Sequence, residues 1–429
     1  MLRCPPPQSQ AMSSLETLRQ QIDQHCAALE PQLIAWRRDF HAHPELSNRE
    51  FRTAAVVAAH LRSLGMDVQE QVAHTGVVGI LQGGLPGTVV ALRADMDALP
   101  VAEEVDLPFA SQARAEYNGA EVGVMHACGH DAHTAILMAV ASALVTVRAQ
   151  LRGTVKFIFQ PAEEQAPKGE EGGAQLMIEQ GVLDNPAPEA IFGLHVIAGM
   201  PVGHIGYRAG PTMASSDQLH ITVDGCQCHG AMPWMGTDPI VVASQVVMGL
   251  QTIASRQVDV THEPSIITIG AIHGGVRDNI IPDRVELLGT IRTFDENMRS
   301  DIAARVQRTA DHIAQASGAT ARVEVERGYD VTINHPALTE AMVPTLERVA
   351  GRAQVFISPK LTGAEDFSRY QQRIPGLFVF LGITDPATPP GMVASNHSPR
   401  FRIEEEGLLL GVRALAHLAV DYLHETPSL

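Results

Sequence analysis

The chain has 429 residues, of which 45% are hydrophobic, and it carries a formal net charge of −17 at pH 7. That length is enough for two domains with a sizeable core. The acidic balance, without any run of Lys or Arg, argues against nucleic acid or an anionic membrane as a partner. No apolar stretch is long enough to span a bilayer.

Residues 1–13 contain three consecutive prolines and lack the apolar core of a secretory signal. We therefore expect a disordered tail and a cytoplasmic protein, with Met12 as an alternative start to Met1. The five cysteines are an odd number in a long chain, which indicates no disulfide framework.

The apolar periodicity predicts helices over residues 15–40 and 50–64, followed by strands that alternate with helices up to about residue 210. This alternation is typical of α/β proteins. From residue 218 to residue 326 the order becomes strand, helix, strand, strand, helix, strand, which is the ferredoxin-like pattern.

These patterns predict an α/β protein with two domains. One domain is discontinuous, comprises residues 14–213 and 328–429, and contains a mixed sheet flanked by helices. Residues 214–327 form an inserted ferredoxin-like α+β (βαββαβ) domain, which we expect to act in dimerisation or as a lid.

The segment Met125–Thr134, MHACGHDAHT, places Cys128, His126, His130 and His133 within eight residues. Thiolate and neutral imidazole are good ligands for zinc-like ions. A helix-compatible run follows, so the cluster is expected at a loop-to-helix junction. The alternative is a structural or redox cysteine with unrelated histidines nearby.

A second candidate segment follows a β-type run over residues 155–159, which ends at Pro161 and delivers Glu163 and Glu164. Neighbouring side chains of an extended segment point in opposite directions. One glutamate can therefore hold a metal while the other removes the proton of a metal-activated water. The alternative is a solvated acidic turn.

Three further positions suit such a site. His195 ends an apolar strand, and His397 lies in a Pro/Gly-rich loop, although either histidine alone could be structural. Asp95 and Asp97 end another strand, and we expect only one of them to face a given site. A carboxylate behind a metal-bound histidine fixes the orientation of its ring.

Seven motifs occur in a characteristic order: HAHPE, RADMDALP, MHACGHDAH, FQPAEE, GLH, GAEDF (residues 363–367) and NHSP. Over residues 15–423 the chain resembles the aminoacylase and hippurate-hydrolase branch of the dinuclear metallo-carboxypeptidases. That branch also contains plant indole-acetyl-amino-acid hydrolases.

The resemblance implies two divalent ions per chain, zinc, manganese or cobalt, bridged by a cysteine thiolate. It implies Glu163 as the general base and Asp97 as the supporting carboxylate. The implied metal ligands are Cys128, His130, Glu164, His195 and His397, so the resemblance implies that the discontinuous domain is the metal-binding catalytic domain.

The resemblance also implies that His229, on a glycine-rich loop of the inserted domain, reaches the active site of the other subunit and stabilises an oxyanion. A surface-loop histidine is the alternative. Asn279 and Arg292 are weaker candidates for binding the carbonyl and carboxylate of the substrate, and Arg292 could equally be a structural ion-pair partner. The chain departs from its relatives in this loop at Cys226, Cys228 and Trp234. The resemblance therefore does not define the details of the substrate pocket.

The function implied is metal-dependent hydrolysis of the amide bond of an N-acyl amino acid, of the N-acetyl or N-benzoyl type, by a homodimer or a dimer-based tetramer. Alternatives are a dipeptidase or carboxypeptidase acting on small peptides, and a deacetylase of the N-acetyl-diaminopimelate type. A metal-binding or metal-storage protein is disfavoured, because a binder needs no general base such as Glu163.

Overall fold

In a computed structural model of the chain, the backbone is described from Gln8 to Glu425 and the side chains from Ser14 to Glu425. Residues 1–7 of the expected tail, which include the candidate start Met1, lie outside the described residues. The first helix already begins at Gln8, directly after the last proline of the segment, Pro7. Residues 8–13 of the expected tail are therefore helical.

The helices are, in chain order, α1 (Gln8–Ala28), α2 (Glu30–Ala42), α3 (Phe51–Ser63), α4 (His130–Thr146), α5 (Gly173–Glu179), α6 (Pro239–Thr252), α7 (Glu296–Ala316), α8 (Pro336–Ala350), α9 (Ser368–Gln371) and α10 (Leu408–Glu425). The strands are β1 (Asp67–Val72), β2 (Gly76–Gln82), β3 (Leu85–Asp95), β4 (Arg114–Tyr117), β5 (Ala120–Gly123), β6 (Arg152–Gln160), β7 (Ala190–Pro201), β8 (Ile205–Tyr207), β9 (Gly210–Met213), β10 (Asp217–Asp224), β11 (Cys228–His229), β12 (Ser265–Gly274), β13 (Ile280–Ile281), β14 (Arg284–Thr293), β15 (Thr320–Arg327), β16 (Thr332–Asn334), β17 (Val355–Ile357) and β18 (Gly376–Thr384).

The chain divides into two compact units. The first contains Met1–Gly210, Asn334–Ser358 and Arg369–Leu429, and the second contains Pro211–Ile333 and Pro359–Ser368. The GAEDF motif thus falls in the second unit, whereas the sequence had suggested that it belongs with the catalytic domain.

The first unit contains an eight-stranded sheet in the order β1-β2-β6-β3-β7-β18-β8-β17. The central strands β6, β3, β7 and β18 run parallel to one another, while β2 and β8 are antiparallel to their inner neighbours. Helices α3, α4, α8 and α10 pack against this sheet. The predicted α/β class with a mixed sheet is confirmed.

The parallel strands bring distant candidate residues to one edge of this sheet. Asp95, the last residue of β3, pairs with Gln160, the last residue of β6. Arg93 pairs with Gly193 of β7, so His195, two residues further on, lies at the level of Asp95. The carboxyl ends of parallel strands meet at one edge, which is where α/β proteins build their sites.

Helix α4 begins at this edge and is buried at every residue from His130 to Leu144. A helix that is apolar on all sides is stable only inside a protein. Contacts with α1, α2, α3 and α10 enclose it. Its first turn is therefore held rigidly beside the ends of β3 and β7.

The N-terminal helical pattern is divided in two, since α1 ends at Ala28 and α2 starts at Glu30. Pro31 occupies the first turn of α2, a position that proline favours because its missing N–H has no helical partner. The helical pattern predicted over residues 15–40 is thus observed as two helices, which are separated only at Leu29.

The second unit contains a four-stranded antiparallel sheet in the order β12-β14-β10-β15. Helices α6 and α7 pack on it, and their apolar residues form a core separate from that of the first unit. The succession β10, α6, β12, β14, α7, β15 is the predicted ferredoxin-like one.

Between Gln8 and Glu425, no helix is both long and apolar enough to cross a membrane.

Candidate metal centre

Gly129 separates two of the candidate ligands and precedes the first residue of α4. Its φ of +99° lies in the left-handed region, which glycine adopts without the steric cost of a β-carbon. This turn directs Cys128 and His130 toward the same edge of the sheet. A glycine here is a steric necessity, since an added Cβ would lie 2.3 Å from Val196 Cγ2.

The five candidate ligands converge within the first unit. Cys128 Sγ lies 3.3 Å from His195 Nε2 and 3.2 Å from His397 Nε2. His397 Nε2 lies 3.0 Å from Glu164 Oε1. Donor atoms of Cys128, His130 and His195 fall within 4.8 Å of one another, and so do those of Cys128, Glu164 and His397. The two groups share the thiol, so Cys128 would help to hold an ion in either group.

A metal fits this site better than hydrogen bonding does. Among the described residues, His130 Nε2 is buried and has no hydrogen-bond partner. It faces Glu163 Oε2 at 3.9 Å and Glu164 Oε1 at 4.0 Å. Buried polar atoms are normally paired, so an unpaired imidazole nitrogen that faces two carboxylates indicates a place for a cation.

The protonation of His195 suits a ligand. Its Nδ1 lies 2.7 Å from the carbonyl oxygen of Val196 and donates to it, which leaves the Nε2 lone pair directed at Cys128. Burial holds the pKa of His195 well below its usual range. The ring is therefore neutral, the form that binds metals.

The pKa values of two further buried candidates, His130 and Cys128, indicate an excess of negative charge around them. Burial opposes the protonation of His130, but Asp95, Asp97 and Glu164 raise its pKa to about 10. Burial, followed by Glu164 and Glu163, raises the pKa of the Cys128 thiol well above its usual range. A divalent cation reverses both tendencies, because it neutralises the carboxylates and stabilises the thiolate.

Asp97 connects helix α4, which begins at His130, to the loop after β6 that carries Glu163 and Glu164, the glutamate loop. Its Oδ1 lies 3.2 Å from His130 Nδ1, the contact that orients a ligand imidazole. The same carboxylate accepts hydrogen bonds from the backbone N–H of Glu163 at 3.1 Å and of Glu164 at 2.9 Å. Ser47 Oγ donates the fourth, at 2.7 Å. Asp97 is thus buried and fully engaged.

The expectation that only one of Asp95 and Asp97 faces the site was wrong. Asp95 Oδ2 lies 3.8 Å from His130 Nε2, so both carboxylates flank the same ring. Residues two apart in an extended segment point to the same side. Asp95 also lies 2.6 Å from His133 Nδ1, and His133 Nε2 accepts the Val196 N–H. With both nitrogens engaged, His133 supports the site and is not free to bind a metal.

His397 is the candidate ligand most open to solvent, with 55% of its side chain exposed. Its backbone is left-handed at φ +69°, an uncommon conformation for a residue with a β-carbon. Asn396 holds this loop by donating to the carbonyl oxygens of Cys128 and Val196 and accepting the Ala198 N–H. The role of Asn396 in holding this loop was not predicted from the sequence. Its position in the NHSP motif, directly before His397, was the available signal.

His229, Asn279 and Arg292 lie in the second unit. His229 is exposed in β11 and pairs with Ile280 of β13, while Gly230 N–H donates to the carbonyl oxygen of Asn279. The structure therefore brings His229 and Asn279 together. Arg292 is half-buried in β14 and donates to Thr290 Oγ1 at 2.8 Å.

The first unit contains a small and a large cavity. One of about 200 Å³ is lined by Glu164, Gln165, Leu99 and Tyr117 among others. A larger one of about 870 Å³ is formed mainly by residues 383–404 and includes none of the five ligands. Of these two cavities, the smaller one includes the candidate ligand Glu164 and is therefore assigned to the candidate site.

Comparison with known proteins agrees with this geometry. Residues 91–421 match the sequence model of peptidase family M20/M25/M40. The chain is 42% identical over 396 residues to thermostable carboxypeptidase 1 of Saccharolobus solfataricus, which covers 92% of this chain and 96% of the relative. It is 37% identical over 397 residues to an N-acetylcysteine deacetylase of Bacillus subtilis, covering 92% and 98%. A crystal structure of a dinuclear metal binding peptidase from Bacillus subtilis superposes with a TM-score of 0.77 at 36% identity, covering 92% and 99%.

Proposed function

Because this chain belongs to peptidase family M20/M25/M40, we propose that it is a metal-dependent hydrolase that cleaves the amide bond of N-acyl amino acids of the N-acetyl or N-benzoyl type. Membership confirms, at the level of the family, the resemblance stated from the motifs. The enzyme uses two divalent metal ions per chain. Zinc, manganese and cobalt all suit the mixed N, O and S ligand set, and availability often decides among such ions.

The observation that carries this proposal is the shared Cys128 thiol between two groups of donors, with the buried Glu163 beside them. Five donors are more than one tetrahedral ion uses. A protein that only stored metal would have no need of an additional carboxylate 3.9 Å from the His130 ligand atom.

When bound, the two ions supply Lewis acidity and lower the pKa of a coordinated water. Glu163 accepts the proton of the attacking water and passes it to the amide nitrogen that leaves. Asp97 holds His130 in the tautomer whose Nε2 can bind. His195 is held in the same tautomer by its hydrogen bond to the Val196 carbonyl.

We propose that the protein works as a homodimer, alone or within a tetramer, and that His229 of one subunit stabilises the oxyanion in the site of the other. The exposed apolar residues Ile240, Val241 and Met248 of α6 support association of this unit. So does β12, a ten-residue strand at the edge of its sheet, since exposed edges favour pairing and twofold dimers are the commonest assembly. Asn279 and Arg292 remain candidates for binding the substrate's carbonyl and carboxylate.

The runner-up is a carboxypeptidase or dipeptidase acting on small peptides, favoured by the 42% identity to a carboxypeptidase. A deacetylase of the N-acetyl-diaminopimelate type is a further alternative. The cavity of about 200 Å³ beside Glu164 suits small substrates of all these kinds. We propose a cytoplasmic location, since a thiol ligand such as Cys128 must stay reduced and the cytosol maintains reduced thiols.

A hydrolysis screen separates these substrates. N-acetyl amino acids, N-benzoyl amino acids, N-acetyl-diaminopimelate and dipeptides would be offered to the enzyme with added manganese, zinc or cobalt, and the released amine measured. We expect the highest kcat/KM for an N-acyl amino acid. Preference for a free-amine dipeptide would favour the runner-up, and no hydrolysis with any metal would refute the proposed function.

A further inference from the structure

Three consecutive backbone N–H groups on the loop after β6 point at two buried carboxylates. Glu163 and Glu164 donate to Asp97, as described above, and Ala162 N–H donates to Glu50 Oε1 at 2.9 Å. Glu50 lies immediately before α3, more than a hundred positions from this loop in the sequence. The loop that carries the proposed base and a proposed metal ligand is therefore held by two buried carboxylates, those of Glu50 and Asp97.

Glu50 makes these contacts with its whole carboxylate. Oε1 also accepts the Asn48 N–H at 3.0 Å, and Oε2 accepts the Thr75 hydroxyl at 2.5 Å. The side chain has no exposed surface. Burial, together with the nearby charge of Asp97, raises the pKa of Glu50 to about 8. Both oxygens are thus occupied by the protein and are not available to substrate or metal.

The backbone that Glu50 holds is strained. Ala162 is left-handed at φ +53° and 1% exposed, a conformation that costs free energy for any residue with a β-carbon. Strained residues persist where surrounding contacts overdetermine them. The rotation at Ala162 sets the direction in which the next two residues, Glu163 and Glu164, leave the strand.

We propose that Glu50 is a positioning residue for the reaction. Its carboxylate holds Ala162 in the left-handed conformation and thereby orients Glu163 for its role as the base and Glu164 for its role as a metal ligand. This inference rests on the proposed function for its kinetic consequences. It rests on the hydrogen-bond geometry alone for its effect on the metal site. What the role requires is a hydrogen-bond acceptor at Oε1.

Two substitutions separate the effect of losing the hydrogen-bond acceptor from the effect of changing the side-chain volume. Glu50→Gln keeps an oxygen that can accept the Ala162 and Asn48 N–H groups, whereas Glu50→Met keeps similar bulk without any oxygen. With metal saturating, Glu50→Met should lower kcat by ~10- to 100-fold, the usual effect of losing an outer contact of a metal site. KM should change by less than about threefold, because the substrate contacts remain. Glu50→Gln should retain most of the wild-type kcat.

Glu45→Met is the matched control. Glu45 is a carboxylate of the same connection, and it accepts the N–H groups of Arg52 and Thr53 at the start of α3 without touching the glutamate loop. It should lower the thermal midpoint while leaving kcat near the wild-type value. An equal loss of kcat in Glu45→Met would reduce the role of Glu50 to general stability and overturn the inference.

A second readout does not depend on activity. The visible spectrum of the cobalt(II)-substituted protein reports the coordination that Glu164 helps to define. Glu50→Met should shift its bands, and Glu50→Gln and Glu45→Met should not. An unchanged spectrum with wild-type kcat in Glu50→Met would overturn the inference. An inactive wild type with shifted bands in Glu50→Met would instead refute only the proposed function.

If Glu50→Met does not fold, Thr75→Val carries the test, because it removes one of the three donors to Glu50 and leaves the carboxylate in place. It should lower kcat about threefold or more and shift the cobalt bands in the same direction, in line with the loss of one buried hydrogen bond. Wild-type kcat and spectrum in folded Thr75→Val would overturn the inference.

Discussion

Gly129 approaches Val196 so closely that a β-carbon on residue 129 would lie 2.3 Å from Val196 Cγ2. Val196 follows His195 in β7, and Gly129 separates Cys128 from His130. The spacing between helix and strand at the metal centre is therefore set by a residue without a side chain. Any larger residue must push the helix start away from β7 or change the backbone that directs Cys128 and His130.

Gly129→Ala should consequently reduce both stability and metal content. A left-handed alanine alone costs about 1–2 kcal/mol, and the overlap with Val196 adds an overpacking cost of about 1–3 kcal/mol. Urea unfolding and elemental analysis would measure the two effects. Gly119→Ala is the control: Gly119 has φ +79° but nothing within 4 Å of an added Cβ. Equal destabilisation of the two variants would show that packing against Val196 is unimportant.

The two adjacent glutamates should respond differently to the same change. Glu163→Gln should bind both metals and lose activity by several orders of magnitude, because a general base acts only in the chemical step. Glu164→Gln should lose metal as well, since its Oε1 lies within 3.0 Å of His397 Nε2 in a donor group. Elemental analysis beside kcat measurements would separate them. Substantial turnover in Glu163→Gln would contradict its role as the base.

Removal of metal should inactivate the enzyme and change the chemistry of Cys128. Active protein should contain two divalent ions per chain, and a chelator should abolish activity. If the Cys128 thiolate is a ligand, it should resist alkylation in the metal-bound enzyme. After chelation Cys128 should react, most readily at alkaline pH, because burial and the neighbouring glutamates raise the pKa of its thiol. Mass spectrometry of peptides labelled with and without metal would measure this. Equal labelling in both states, or one ion per chain, would contradict the dinuclear site.

Complementation tests whether His229 acts in the partner's site. His229→Ala and Glu163→Ala should each be nearly inactive alone. In a mixed dimer, one site would contain both defects and the other neither. Random mixing makes about half of the dimers mixed, so roughly a quarter of wild-type activity should return if the closed dimer is the active form. No recovery in a mixture shown to contain heterodimers would place His229 in its own chain's site or outside catalysis.

The docking of α1 onto α10 should weaken in acid. Burial opposes ionisation of Asp23, but hydrogen bonds from His417 and Arg413 lower its pKa to about 2. A carboxyl whose folded pKa is lowered adds stability above its unfolded pKa of about 3.9, and this stability is lost as the pH falls toward 2. Asp23→Asn should therefore be less stable than the wild type at neutral pH. Urea unfolding at neutral pH and across this acid range should show the difference shrinking. A difference that is constant with pH would mean that the charge of Asp23 contributes nothing.

Local sequence determined a large part of this protein. The Cys128–His130 turn, the glutamates after β6 and helix α7 could be predicted because each depends on neighbours in the chain. Alternation and helical periodicity act over a few residues, and the second helix predicted between residues 218 and 326 is observed as α7, Glu296–Ala316. The helical pattern of residues 15–40 did not reveal the break between α1 and α2 at Leu29, because apolar periodicity does not fix where one helix ends and the next begins.

The contacts that assemble the site were decided by the tertiary structure. His397 lies 269 positions after Cys128, and Glu50 lies 112 positions before Ala162; no local pattern carries the information that these pairs touch. The roles of Asp95 and His133 likewise depend on the register of β3 against β7, which aligns Arg93 with Gly193. Hydrogen bonds of about 3 Å between distant segments form only after strands and helices have packed. The sequence therefore determined which chemical groups are present, and the packed sheet decided which of them meet.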